Sequence, residues 1–302
     1  MNCRNVKEAS AKKTFIAFAL AFLLLVSGCQ AGPAQPGGTA GGEAAIKIVC
    51  GTTLISSIVK EVGGDKVDAR SIIPPAENPF NFVVKPENIT ALSTAAIFLI
   101  HDWQQNKFPQ SVIDSANSPL LKVVRISLGG DWMIPEIQVQ AVDKVSDTLK
   151  ALDARNSASY DIGATAYKEK IRKKEAQIKE QLKIQKFYDT IGTINVVCAS
   201  PVADFVKWLG VSVVAIYGPP DSLTPARIQE IVGGLGDKKI ALIADSIQNG
   251  ENAGAPIAAK VGCARIILSN YPGAAKYTTN WEDTFARNMT LIIATISACP
   301  YC

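Results

Sequence analysis

Apolar positions along this chain fall into short blocks that alternate with helical stripes. Ile46-Lys47-Ile48-Val49-Cys50 has the length and β-branched content of a strand. Residues 53–62 carry apolar side chains at helical spacing, and Gly63-Gly64 stops them. Blocks at 68–73, 96–100 and 121–126 predict further strands, with helices over 86–94 and 108–116 between them. The plan then restarts. Residues 194–198 predict a strand, 201–209 a helix closed by Gly210, and 211–217, 240–245 and 264–269 more strands. Thr224-Pro225 opens a helix with Thr at the cap and Pro in the first turn, and 280–298 reads as the terminal helix. The openings of the two halves are alike, Val49-Cys50-Gly51-Thr52 against Val197-Cys198-Ala199-Ser200. This alternation predicts an α/β fold: two similar lobes, each with a mainly parallel sheet covered by helices.

Between the halves lies the most helical stretch, predicted as one helix over 135–152 and another over 157–186. The second contains no proline and one glycine, Gly163. Tyr167, Ile171, Ile178 and Leu182 share one stripe, and Glu169–Lys173 and Glu175–Lys179 are favourably ordered i,i+4 pairs. At 1.5 Å per residue it runs about 45 Å, enough to link the lobes rigidly. Open parallel sheets bind ligands beyond the carboxyl ends of their strands, so a ligand cleft is expected between the lobes.

The first 45 residues follow another pattern. Arg4, Lys7, Lys12 and Lys13 precede an apolar run from Phe15 to Val26, and Ser27-Gly28-Cys29 follows. This layout is that of a bacterial secretory signal, and the closing cysteine resembles a lipobox. The run is shorter than the roughly 18–20 residues of a spanning helix. The expectation is a signal over 1–28, acylation at Cys29 and a flexible Gly/Pro/Ala tether over 29–45. The remaining boundaries are an N-terminal lobe over 46–134, a helical segment over 135–190 and a C-terminal lobe over 191–302. The protein is expected in the cell envelope, lipid-anchored on the extracytoplasmic face of a membrane. The net charge of +4 owes +3 to the leader, leaving a nearly neutral chain with no footprint for nucleic acid.

Cys50, Cys198, Cys263, Cys299 and Cys302 remain after the leader and the lipidated cysteine. An exported chain can hold disulfides, and a bridge from Cys263 to Cys299 or Cys302 would staple the last helix to its sheet. Cys299-Pro300-Tyr301-Cys302 has redox spacing but follows a helix, whereas a redox dithiol opens one. No G-x-S-x-G, Walker loop or H-E-x-x-H is present, and the single histidine, His101, has no partner visible in sequence. Gly233-Gly234-Leu235-Gly236 ends a helix instead of opening one, as a phosphate cradle would. Catalysis is not expected.

Several segments resemble one family in order and spacing. These are Val62-Gly63-Gly64-Asp65-Lys66-Val67, the loop from Ile73 through Pro79-Phe80-Asn81 to Pro86, Trp132 and Pro135 followed by Leu152-Asp153, and the helix opened by Pro225. Together they resemble the zinc/manganese-type substrate-binding lipoproteins of ABC transporters, from Ile46 almost to the end. The resemblance implies two α/β lobes joined by a rigid helix, a permease as partner, the lipid anchor as the membrane contact, and a metal ion as transported ligand, with no resident cofactor.

The resemblance also locates the metal ligands, and this chain departs at each. The first-lobe histidine falls on Phe80 and its neighbouring acid on Asn78, the second histidine on Gly130, the second-lobe ligand near Ser200 and the last carboxylate near Asn270. Zinc and manganese require N, O or S donors in fixed geometry, which this set does not supply. Two readings of the cleft follow. Cys50, His101, Cys198 and Asp245, all at predicted strand ends, form one alternative metal set. Alternatively, Phe80, Phe82, Trp103, Trp132 and Tyr271 supply apolar contact and Asn78, Asn81, Ser200 and Asn270 hydrogen bonds to an organic or chelated-metal ligand.

Overall fold

The structure, a computed structural model, describes residues 45–108, 110–184 and 191–299. The expected leader, Cys29 and the tether up to residue 44 lie outside the described residues.

The first sheet contains β1 (Ile46–Cys50), β2 (Val67–Ser71), β3 (Ile97–His101) and β4 (Lys122–Ile126), all parallel in the order β2-β1-β3-β4. The second contains β5 (Asn195–Ala199), β6 (Ser212–Tyr217), β7 (Ile240–Ser246) and β8 (Ala264–Leu268), parallel in the corresponding order β6-β5-β7-β8. Every residue of β3 and β7 is buried, as expected of inner strands covered on both faces. Edge strand β2 instead alternates buried and exposed positions over its first four residues.

The helices are α1 (Thr53–Gly63), α2 (Pro86–Ser93), α3 (Gln110–Asp114), α4 (Pro135–Leu152), α5 (Ser157–Ile184), α6 (Ala203–Trp208), α7 (Pro225–Leu235), α8 (Ala255–Val261) and α9 (Trp281–Ser297). Thr224 caps α7 by accepting from the Arg227 N–H at 3.2 Å, as its sequence predicts. The predicted helix over 201–209 divides into a 3₁₀ turn, Ser200–Val202, and α6. The short α8, opened by a Gly/Asn-rich segment, has no counterpart in the sequence reading.

Helix α5 packs on α1 and α4 and also reaches α9. Its stripe of Tyr167, Ile171, Ile178 and Leu182 is buried. Lys170 pairs with Glu61 of α1 at 2.7 Å and Lys168 with Asp143 of α4 at 2.6 Å. Gly163 sits where α5 crosses the end of α1, and a β-carbon there would collide with the Val62 carbonyl. The one glycine of this long helix is therefore a point of backbone contact.

One expected staple is not formed. Cys263 is a free thiol, and Cys299 is disulfide-bonded without it.

Candidate functional site: the cavity between the lobes

The carboxyl ends of both sheets open onto a cavity of about 620 Å³. In each sheet the strand order reverses beside the first strand, between β1 and β3 and between β5 and β7, the place where open α/β sheets receive ligands. Hydrogen bonds cross between the lobes: Thr53 Oγ1 donates to the Pro272 carbonyl at 2.8 Å, and Gln248 Nε2 to the Pro75 carbonyl at 2.7 Å. Trp281 Nε1, at the start of α9, donates to the Trp132 carbonyl at 2.8 Å.

The first-lobe wall is aromatic. His101 ends β3, and its Nε2 lies 3.0 Å from Thr52 Oγ1 just beyond β1. Its ring stacks on Trp103 (5.0 Å, 15°) and meets Trp132 edge-on (4.4 Å, 67°). Phe80 continues the run, 5.2 Å from Trp103. Asn78 presents Phe80 by accepting its N–H at 2.9 Å, and Lys107 Nζ donates to the Phe80 carbonyl at 2.9 Å. Burial lowers the His101 pKa to about 3, against a partial opposing pull from Asp102, so the imidazole is neutral at physiological pH.

The predicted cleft residues Asn78, Phe80, Asn81, His101, Trp103 and Trp132 all border the cavity from the first lobe, and Ser200 and Asn270 do so from the second, with Tyr271 beside them. Phe82 does not. It is buried in a separate cluster with Phe108, at 6.3 Å. The positions that the resemblance marked, Asn78, Phe80 and Gly130, together with Ser200 and Asn270, near which it placed the second-lobe ligands, line this one cavity. Gly130 has φ +90°, so a side chain there would strain the backbone. The amide of Asn270 is occupied within its own lobe, accepting from Ser246 Oγ at 3.1 Å and donating to the Pro201 carbonyl at 2.6 Å.

The alternative metal set is not assembled. Asp245 lies outside the cavity lining and is wholly buried in a structural network. It pairs with Arg265 at 2.6 Å and accepts from the Tyr217 hydroxyl at 2.6 Å and the Gly254 N–H at 2.7 Å. Cys50 and Cys198 are core residues whose thiols burial pushes up, that of Cys198 to about 12. Strand-end position alone brought these four together in sequence, but only His101 borders the cavity, while both cysteines are packed in the core and Asp245 is held in its own network. Among the described residues no three His, Cys, Asp or Glu side chains converge on a possible metal position.

Two lining residues carry no periodic signal and escaped the sequence reading. Asp131 stands on the loop before α4. Its Oδ1 accepts from the Met133 N–H at 2.8 Å, while Oδ2 is buried and makes no hydrogen bond of normal geometry among the described residues. Burial raises its pKa to about 7, the Met133 N–H opposes this, the nearby Asp204 carboxylate adds to it, and the Phe205 N–H of the second lobe opposes it in turn. Asn249, on the turn after β7, is 5% exposed and its Nδ2 is likewise unpartnered. Asp131 adjoins the Trp132 that the resemblance had marked. Nothing in the sequence distinguished Asn249.

The sequence profile of the ZnuA family, zinc-uptake complex component A, periplasmic, matches residues 48–299. The chain belongs to this family. Among similar proteins, the metal ABC transporter substrate-binding lipoprotein FimA of Streptococcus parasanguinis is 25% identical over 184 residues, covering 54% of this chain and 59% of FimA. The manganese-binding lipoprotein MntA of Halalkalibacterium halodurans is 22% identical over 184 residues, covering 57% and 60% respectively. The chain thus aligns with about 60% of the length of these relatives. Among solved structures, a Cd-bound periplasmic metal binding protein from Candidatus Liberibacter asiaticus superposes with a TM-score of 0.70 at 16% identity, covering 83% of this chain and 99% of that one. A crystal structure of ZnuA gives 0.70 at 14% identity, covering 83% and 98%. The two parallel-sheet lobes and the long helix are the fold of this family.

Proposed function

We propose that the chain is the solute-binding component of an ABC importer of the metal-uptake class. It captures a small cargo between its lobes and delivers it to a permease. The observation that carries this reading is the cavity at the matched switch points of two sheets of identical topology, on the scaffold of a zinc-uptake family. The relatives' names support metal traffic as the cargo class. The lining supports a cargo whose coordination the chain does not complete by itself, since Phe80, Gly130, Ser200 and Asn270 stand at or near the inherited ligand positions.

The anchor is part of the proposal: acylation at Cys29 holds the folded lobes at the extracytoplasmic face of a membrane. The names of the lipoprotein relatives support it, and among the described residues no helix is long and apolar enough to cross a membrane. Labelled palmitate should be incorporated by the wild-type chain and lost in Cys29→Ala. The importer reading is tested with the cognate permease and ATPase in proteoliposomes. Adding the protein should stimulate ATP hydrolysis, and absence of stimulation at saturating protein would defeat it.

A further inference from the structure

The cavity is larger than a bare ion requires. Metal ions sit about 2.0–2.3 Å from their side-chain donors, whereas about 620 Å³ lies within the roughly 300–1,000 Å³ typical of small-molecule sites. Its first-lobe wall leaves Phe80 at 70% exposure and Trp103, on which His101 stacks, at 39%. Partly exposed aromatic rings beside a cavity are suited to a flat partner.

The polar groups narrow the choice. Gln248 and Asn270 spend their amides on neighbouring loops. Asp131 Oδ2 from the first lobe, near the Phe205 N–H, and Asn249 Nδ2 from the second make no hydrogen bond of normal geometry among the described residues. A buried polar atom left unsatisfied is costly, and one acceptor and one donor on opposite lobes define a complementary ligand.

We propose that the cavity binds a flat organic molecule that stacks on Trp103 and Phe80, donates a hydrogen bond to Asp131 and accepts one from Asn249. This rests on the reading of the cleft as the cargo site and names the chemical class of the cargo. It also accounts for the missing metal ligands, because an organic cargo needs none from the protein and a chelated metal brings its own.

The test is titration of the purified protein at pH 8, by calorimetry and ligand-detected NMR. The probes are benzamidine, benzamide, cyclohexanecarboxamide, ZnCl₂ and MnCl₂. Benzamide and benzamidine should compete for one site, and the non-flat cyclohexanecarboxamide should not enter it. Benzamidine should bind about fivefold tighter than benzamide through a charge-assisted bond, an advantage that Asp131→Asn abolishes. Trp103→Ala should weaken both by about tenfold, and Asn249→Ala should weaken benzamide selectively. Circular dichroism identifies a variant that fails to fold, and the remaining variants then carry the test. 1,10-Phenanthroline with and without one equivalent of zinc separates a free organic cargo from a chelate, and binding of either supports the inference. Micromolar binding of bare zinc or manganese with no flat probe bound would overturn it and leave the importer reading intact. Flat probes that bind equally to wild type and all three folded variants would overturn it as well.

Discussion

The imidazole of His101 lies flat against the indole of Trp103, their ring centres 5.0 Å apart and their planes within 15°. The only histidine of the chain is therefore part of an aromatic wall, held from behind by Thr52 and capped edge-on by Trp132. His101→Ala removes a buried ring from between two indoles and leaves Thr52 Oγ1 with only the Ile55 N–H that it caps. The expected loss is about 2 kcal/mol, measured by urea unfolding followed by circular dichroism.

Two cavity groups have opposed pH dependence. His101, lowered by burial to about 3, is neutral in the folded chain between pH 3 and 6.5 but charged in the unfolded one, so it favours the unfolded state as pH falls through that window. Asp131, raised to about 7, holds a proton in the folded chain that it releases above pH 3.8 when unfolded, so its contribution is lost as pH rises towards 7. The slopes oppose between about pH 4 and 6.5. Asp131→Asn should lose stability on acidification from pH 6.5 to 5 more steeply than wild type, and His101→Gln should lose less. Urea midpoints at several pH values give the comparison, and parallel profiles for all three proteins would contradict it.

Gly163 permits α5 to touch α1. Gly163→Ala improves helix propensity but forces the helices apart at the Val62 carbonyl, and overpacking dominates with a cost of about 1–3 kcal/mol. Gly163→Ala at least as stable as wild type in urea would refute the close contact.

Arg265 neutralises the buried Asp245 from the neighbouring strand. Arg265→Leu should destabilise by about 3–5 kcal/mol by stranding a carboxylate in the core. Because Asp245 lies outside the cavity lining, a folded Arg265→Leu should bind cavity probes with unchanged affinity.

The lobes, their repeated order and the stripe on α5 were legible because burial imposes a period of two or 3.6 on the sequence. Much of the cavity was not, for reasons that differ by residue. Phe80 and Phe82 occupy one irregular loop, and no pattern tells that the first is exposed and the second packed on Phe108. Asp245 resembled a ligand at a strand end, but its true partner depends on the pairing of β7 with β8, which a single sequence does not fix. Asn249 is a solitary polar residue in a turn, meaningful only once both lobes surround it. The Cys263–Cys299 staple failed for the same reason, since sequence spacing does not set the distance between thiols.

Trp281 reaches from the second lobe to the Trp132 carbonyl, and Trp208 donates to Glu136 at the start of α4. With Trp103 and Trp132 bordering the cavity, all four tryptophans of the chain are committed to the cavity or to the seam beside it. The protein is consequently its own optical sensor. Light absorbed near 295 nm is emitted only from this region, so arrival of a cargo would be written in the colour and intensity of the native fluorescence, with no label attached.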